Sequence, residues 1–308
     1  MTARPERVSA EEVRQRMLDA GRAMALEAGA ALTIEHMLLE EVIQRARVPR
    51  SSVYRLWPHR EEYVDELLCY LAGAGSWFSD RPVLNPETFN LAIQVLEGNE
   101  ALMATPEGRL ALLREVVRVT ADLNYESLTS SAPWRLHVAL VVTLGSTRSG
   151  AARKRIAAAL EDAQRVSRES MVAVLGYLMG RLGMRLRDPA YTLDHVQLAG
   201  GLLIQSLALR NVQVKTAADD IADRAGVSAP VGGPGTVAAA RVNELLNEPV
   251  PGPGLNDQPA SWSLAGLAYL GVIERFIEPD PDFVPPLRQA DTARAFPRPP
   301  WPARAPGR

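Results

Sequence analysis

Cysteine, lysine and aromatic residues are all scarce in this 308-residue chain. The single cysteine, Cys69, excludes an intrachain disulfide framework and a zinc site built from several cysteines. The four histidines stand apart with no i, i+4 pair, so no metal site is expected. No apolar run reaches about 18 residues, which argues against a transmembrane helix. Residues 1–12 are charged and do not look like a signal peptide, so the expected location is cytoplasmic.

Catalytic signatures are missing as well. The chain has no glycine-rich phosphate loop, no nucleophile elbow and no pattern of paired carboxylates. These absences predict a binding protein, not an enzyme, and a protein without a cofactor.

The apolar residues that are present follow a helical period. Val13, Met17, Ala20 and Met24 are spaced three or four apart, and no segment sustains a period of two. The predicted fold class is all-α, with an N-terminal three-helix DNA-binding domain and a larger helical bundle for regulation and dimerisation. The predicted helices cover 10–28, Thr33 to Ala46, Pro49 to about Trp57, 61–71, 86–97, 106–124, 133–144, 151–184, 191–212, 236–247 and 261–277.

Proline and glycine mark the remaining segments. Residues 229–235 and 249–259 have loop compositions. The last 30 residues hold nine prolines and five arginines, and we expect them to be extended or disordered. The chain is therefore divided into domains at 1–75, 76–278 and 279–308.

Residues 39–63, LEEVIQRARVPRSSVYRLWPHREEY, contain the parts of a helix-turn-helix in order. Such a motif needs a short helix, a tight turn and a second helix whose N-terminal end enters the major groove. The turn is expected at Arg47 to Pro49. A small core fixing the angle between the two helices is expected from Val42, Ala46, Val48 and Val53.

This segment resembles the TetR family of transcription regulators. Members carry, roughly, I-A-x-x-A-G-V-S-x-x-T-L-Y-x-Y-F-x-x-K-E-x-L, and residues 42–63 read VIQRARVPRSSVYRLWPHREEY. The run of Tyr54, Trp57, Arg60 and Glu61 is the most specific part. The resemblance implies a transcription regulator that acts as a repressor. Such a protein binds a palindromic double-stranded DNA operator as a homodimer, and a small-molecule effector releases it from the DNA.

The resemblance also implies roles for individual residues. Positions that usually contact phosphates are Ser52, Tyr54 and Arg60, with His59 as a further backbone contact. Positions that face base edges or their flanks are Arg50, Ser51 and Arg55.

Three features depart from the family pattern. Arg47 replaces the turn glycine, which is strained if that residue must take a positive φ. Pro49 replaces the serine that would cap the recognition helix. About three additional residues lie between Gly29 and Val42, and with Thr33 as N-cap they predict a second helix one turn longer than usual.

Charge divides unevenly along the N-terminal region. Residues 1–75 contain ten arginines against twelve acidic residues, but residues 44–60 contain five arginines and no acid. A local cationic face is what phosphate binding requires. The alternative function is an all-α ligand-binding or scaffold protein that has lost DNA affinity.

The regulatory body is less specific in sequence. The predicted helix 191–212 carries an apolar stripe made of Leu193, Val196, Gly200, Leu203 and Leu207. Together with part of 151–184, this stripe is either a dimer face or a surface buried within one subunit. Large apolar residues either line an effector cavity, as the family implies, or fill the core. These are Trp77, Phe78, Phe89, Met103, Trp134, Met171, Tyr177, Met179 and Met184.

Overall fold

A computed structural model describes residues 9–28, 37–73, 76, 86–144, 150–225, 241–242, 244–246, 248–255 and 258–285. Within these ranges the chain is mostly helical, which confirms the predicted all-α character. No described helix combines the length and the apolar character needed to cross a membrane.

The elements follow one another in the order that the apolar spacing predicts. The helices are α1 (Ala10–Ala28), α2 (Leu39–Ala46), α3 (Arg50–Leu56), α4 (Arg60–Ala72), α5 (Pro86–Gly98), a 3-10 turn (Glu100–Ala104), α6 (Pro106–Ser130), α7 (Ala132–Leu144), α8 (Gly150–Leu182), α9 (Leu193–Ala225) and α10 (Leu264–Phe276). The strands are β1 (Met184–Leu186), β2 (Val250–Pro253), β3 (Pro259–Trp262) and β4 (Ile277–Pro279). Residues 241–242 and 244–246 are also helical.

Two compact units divide the chain. The first comprises residues 1–81 and 131–167, and the second comprises residues 82–130 and 168–308. This division differs from the domain boundary expected at residue 75. The reason is that Leu136, Leu140, Ile156 and Leu160 are buried in the same core as the N-terminal helices.

The second unit has its own core. Phe89, Leu112 and Val116 from α5 and α6 are buried together with Ile273 of α10 and Trp262 of β3. Because Phe89 and Ile273 lie 184 positions apart, this core depends on contacts that apolar spacing within one helix does not reveal.

Two small antiparallel ribbons correct the sequence prediction. Residues 249–259 were expected to form a loop, but β2 pairs with β3, with Val250 opposite Trp262. The buried Trp262 indole donates to the Pro253 carbonyl at 2.9 Å, which ties the two strands together. Proline and glycine obscure this ribbon in the sequence, because both residues are depleted in strands.

The second ribbon pairs β1 with β4. Helices were expected to continue to residues 184 and 277, but α8 ends at Leu182 and α10 at Phe276. Gly183 takes a φ of 58°, a left-handed conformation that glycine adopts at low cost, and this turns the chain from helix into strand.

The second helix is shorter than predicted. The expected N-cap, Thr33, lies outside the described residues, but Leu38 is extended, with φ −79° and ψ 121°, and α2 begins at Leu39. Met37 and Leu39 are buried while Leu38 is 58% exposed, an alternation that is typical of extended chain. The first helical turn uses the Leu38 carbonyl, which accepts from the Glu41 and Val42 N–H groups, whereas the Met37 carbonyl accepts from the Arg60 guanidinium.

The apolar stripe on α9 lies largely inside the second unit. Val196 and Gly200 are buried, and a Cβ on Gly200 would overlap the Tyr269 ring. Leu193 packs against the same core, and Leu203 and Leu207 are half-buried. Burial within one subunit therefore accounts for most of this stripe, and the outward face of α9 carries Leu198 and Leu202 instead.

The start of the proline-rich segment is packed against the second unit. The Asp280 N–H donates to the Gly183 carbonyl at 2.8 Å, and the Arg109 guanidinium lies 5.2 Å from the centre of the Phe283 ring. The disorder expected from residue 279 onward therefore does not hold for residues 279–285. Residues 286–308 lie outside the described part of the chain, as do residues 229–235.

Candidate nucleic-acid interface

The turn between α2 and α3 has the geometry that the sequence pattern requires. Arg47 has φ 52° and ψ 46°, the only left-handed residue other than glycine in the described chain. Its N–H donates to the Gln44 carbonyl at 3.3 Å, which closes the end of α2. The predicted strain at Arg47 is thus present, because the side chain must tolerate a conformation that favours glycine.

The predicted small core behind this turn is confirmed. Val42 and Val53 are fully buried, and Ala46 and Val48 are nearly so. All four belong to the core of the first unit, which also includes Met17 of α1. Their burial fixes α2 and α3 on α1, so the opposite side of α3 is left to face solvent.

Helix α3 is short and exposes most of the predicted contact residues. Pro49 is its N-cap, with φ −65° and no capping side-chain hydrogen bond, as the replacement of serine predicts. Among the predicted contacts, Arg50, Ser51, Tyr54 and Arg55 are exposed and Ser52 is half-buried. One short helix therefore exposes four polar side chains: two arginines, one serine and one tyrosine.

Glu40 of α2 holds two of these side chains. Its carboxylate pairs with the Arg50 guanidinium at 2.8 Å and accepts from the Tyr54 hydroxyl at 2.9 Å. The Arg50 guanidinium also lies 5.5 Å from the centre of the Tyr54 ring. Sequence reasoning missed Glu40, since its pairing depends on the angle between α2 and α3 and not on a spacing within one helix.

Arg60 has a structural partner in addition to its predicted role. Its Nε and Nη2 donate to the Met37 carbonyl at 3.2 and 3.1 Å, and the side chain is half-buried at the start of α4. His59, the N-cap of α4, is exposed and caps no backbone N–H. Arg60 and His59 therefore lie at the α3–α4 junction, not on α3 itself.

The aromatic residues of the motif fasten α4 to α1. The Trp57 indole donates to Glu66 at 2.7 Å and meets Tyr63 edge to face, with ring centres 5.3 Å apart. The buried Tyr63 hydroxyl donates to the Met17 carbonyl at 3.0 Å, and burial raises the pKa of Tyr63. A Cβ on Gly21 would overlap the Tyr63 hydroxyl, so glycine lets the two helices approach closely.

Acidic residues neutralise part of the arginine-rich segment. Arg45 forms a two-pronged pair with Glu27, and Arg50 pairs with Glu40. Arg47 and Arg55 are exposed and form no ion pair with any residue that the structure describes. The cationic surface around α3 is therefore smaller than the absence of acidic residues from 44–60 suggests. Arg55 is the arginine of α3 whose charge no described acidic residue neutralises.

The second unit contains a small cavity of about 80 Å³ that is partly open to solvent. Its lining comes from α6, α8, α9, α10 and Ile277 of β4, and none of the described lining residues is charged. Thr120, Asn124 and Tyr269 are its polar residues, and burial raises the pKa of Tyr269 to about 12. An apolar lining with a few polar groups is typical of small-molecule sites, but at about 80 Å³ this cavity is smaller than most of them.

Only some of the large apolar residues considered for a cavity line it. Met171 and Met179 do, whereas Phe89, Met103, Tyr177 and Met184 pack in the core of the second unit. Trp134 is buried in the first unit, and Trp77 and Phe78 lie outside the described residues. The lining is mainly valine, leucine and isoleucine. In the sequence, residues of these types that line a cavity look the same as residues that fill the core.

Comparison with known proteins found no match among family models, curated proteins or solved structures.

Proposed function

We propose that this protein is a DNA-binding transcription regulator similar to the TetR family, acting as a repressor and not as an enzyme. The observation that supports this most directly is the left-handed Arg47 between two short helices, with Arg50, Ser51, Tyr54 and Arg55 exposed on the second helix. Local sequence and backbone geometry agree at the position where a helix-turn-helix needs its tight turn.

The proposed roles follow from exposure and chemistry. Arg55 and Arg50 contact base edges or their flanks, because an exposed guanidinium can bond a guanine at two atoms. Ser51 joins them, while Ser52, Tyr54, His59 and Arg60 contact phosphates and fix the register of the helix on the duplex. Arg60 also donates to the Met37 carbonyl, which holds its side chain at the start of α4.

The proposed regulator acts as a homodimer on a palindromic operator. A single short recognition helix reads few base pairs, and a twofold dimer places two such helices about 34–36 Å apart. The outward face of α9 supports self-association, since Leu198 and Leu202 are one turn apart and 52% and 55% exposed. A small-molecule effector in the cavity of the second unit would release the operator.

The second candidate is an all-α ligand-binding or scaffold protein without DNA affinity. The acid–arginine pairs favour it, because Glu40 and Glu27 neutralise two of the five arginines in residues 44–60. An ion pair must break before Arg50 can reach a base, and breaking it opposes binding.

Selection of bound fragments from random-sequence duplex DNA tests the proposal. The wild-type protein should enrich a palindromic sequence, and Arg55→Ala should weaken binding and relax the preference at one position per half-site, at a cost of about 1–3 kcal/mol. Arg275→Ala is the matched control, since it removes the same charge from an exposed site in the second unit. Failure of the wild-type protein to enrich any sequence would favour the second candidate.

A further inference from the structure

Two polar residues of the cavity in the second unit keep unused hydrogen-bonding groups. Asn124 and Tyr269 line the cavity, and neither the amide of the first nor the hydroxyl of the second bonds to another residue that the structure describes. Thr120 differs, because its hydroxyl donates to the Val116 carbonyl at 2.7 Å within α6. A polar group in an apolar wall is stabilised when it finds a hydrogen-bond partner. The cavity therefore offers two groups to a polar atom of a ligand.

Helices α6 and α10 form one wall of the cavity and run in opposite directions. Ser263, the N-cap of α10, donates to Asp122 of α6, and Gly266 of the first turn lies against the same carboxylate. Near the other end of α10, Glu274 pairs with Arg114 of α6 at 2.7 Å. The start of α10 therefore lies beside the later turns of α6, and the end of α10 lies beside the earlier turns.

This arrangement gives the cavity a polar end and an apolar end. Tyr269 belongs to the first half of α10, so it lies on the same side as Thr120 and Asn124 of α6. Ile277 follows eight positions later and lies on the opposite side, toward Leu113. The remaining described lining residues are apolar, and none is charged. A matching ligand is therefore uncharged, with one polar end and one apolar end.

The size of the cavity restricts the ligand to a few carbon atoms. The cavity measures about 80 Å³, whereas an apolar cavity that takes up benzene measures about 150 Å³. In proportion, about three or four non-hydrogen atoms fit inside it. Compounds with rings or long chains are too large to be enclosed.

We propose that this cavity binds a small neutral alcohol of about two to four carbon atoms, with its hydroxyl at the end that carries Asn124 and Tyr269 and its carbon chain toward Ile277. A hydroxyl both donates and accepts, so it matches an amide and a phenol. A hydrocarbon would leave both groups unpaired, and a carboxylate would lose its hydration without gaining a counter-charge. This gives the effector a chemical class and in that respect rests on the regulatory function proposed above, although the binding itself needs no DNA.

A cavity that holds only water is the alternative. Water at the polar end would bond to Asn124 and Tyr269 and leave the apolar end empty. The two occupants differ in what they predict for chain length. Only a site that encloses the carbon chain gains affinity with each added carbon, and it stops gaining when the apolar end is full.

Saturation-transfer NMR on the full-length protein without DNA tests the proposal, with ethanol, 1-propanol, 1-butanol, 1-hexanol and butyrate titrated separately. Affinity should rise by about threefold or more per carbon from ethanol to 1-butanol, and 1-hexanol should gain nothing further. Butyrate should bind at least about tenfold more weakly than 1-butanol, because its charge is not neutralised.

Two variants locate the site. Tyr269→Phe should weaken the binding of 1-butanol by about threefold or more, since it removes one hydrogen-bonding group. Tyr177→Phe, the same change at a tyrosine that packs in the core without lining the cavity, is the control and should leave the affinity unchanged. Ala121→Leu adds three carbons to the lining and should abolish binding.

Absence of saturable binding by every alcohol would overturn the proposal, as would affinity that does not depend on chain length, which the water-filled cavity predicts. Equal affinity for butyrate and 1-butanol, or unchanged affinity in Tyr269→Phe, would overturn it as well. If Ala121→Leu does not fold, Tyr269→Phe and the chain-length series still decide. Because no DNA is present, failure here is distinct from failure of the operator selection.

Discussion

At the scale of single residues, Arg47 carries a conformational cost that the fold requires. A residue other than glycine in the left-handed conformation lowers the free energy of unfolding by about 1–2 kcal/mol. Glycine avoids this cost, but it loses about 0.5–1 kcal/mol because its unfolded chain has more conformational freedom. Arg47→Gly should therefore raise the free energy of unfolding by about 0.5–1 kcal/mol, measured by urea denaturation. Arg47→Ala, which removes the charge but keeps the Cβ, should give no such gain; an equal gain would assign the effect to charge.

In the proposed complex with DNA, Glu40 competes with the duplex for Arg50 and Tyr54. Glu40→Gln should increase affinity for duplex DNA several-fold and steepen its salt dependence, because the carboxylate no longer pairs with Arg50 or repels phosphate. Glutamine still accepts from Tyr54, so the fold of α2 and α3 is kept. Glu41→Gln, the same change at the next and exposed position, is the control. Weaker binding by Glu40→Gln would mean that Glu40 positions Arg50 for recognition.

His137 makes the first unit sensitive to acid. Burial lowers the pKa of His137 to about 4, while the pKa in the unfolded chain is about 6.5. Between these values the unfolded chain binds the proton and the folded chain does not, so stability falls as the pH decreases from about 6.5 to about 4. The loss should approach about 3 kcal/mol, at 1.36 kcal/mol per unit.

The measurement is the free energy of unfolding against pH for wild type and His137→Leu. The variant should lose this part of the acid dependence, whereas His59→Gln, at an exposed histidine, should keep it. A His137→Leu profile parallel to the wild-type profile would contradict the assignment.

At the scale of elements, helix positions follow from local periodicity and helix ends do not. Helix α1 covers 10–28 as the apolar spacing predicts. Just before the start of α2, the Met37 carbonyl accepts from Arg60, 23 residues away along the chain. The β2–β3 and β1–β4 ribbons likewise form because strands meet, and neither segment alternates long enough to be recognised alone.

The segment 280–285 behaves as a structural element despite its composition. Truncation after Pro285 should leave the melting temperature unchanged, because the bonds to Gly183 and Arg109 remain. Truncation after Pro279 should lower stability by about 1–3 kcal/mol through loss of the Phe283 packing and exposure of Arg109. Thermal melting of the two truncated proteins checks this, and equal melting temperatures would show that the segment contributes nothing.

At the scale of the whole molecule, the proposed operator binding requires self-association. Leu202→Asp should place two facing carboxylates near the twofold axis and yield a folded monomer that loses operator affinity. Leu202 is 55% exposed, so the substitution should leave the fold of one subunit intact. Light scattering gives the mass, and Val284→Asp, at an 81% exposed apolar residue, is the control. A dimeric Leu202→Asp protein would exclude the Leu198 and Leu202 face.

Local sequence patterns are enough to predict the helical class, most helix positions, and the turn with its four buried core residues. These follow from spacing and residue type within a few positions, where backbone sterics and burial act locally. Four features depend on contacts between separate elements of the folded chain: the Glu40 pairs, the grouping of 131–167 with the N-terminal helices, the exposed face of α9, and the burial of Arg109. Arg109 and its acceptor Asp280 are 171 residues apart, and Arg114 and Glu274 are 160 apart. No periodicity encodes such partners, because they meet only after separate elements have packed.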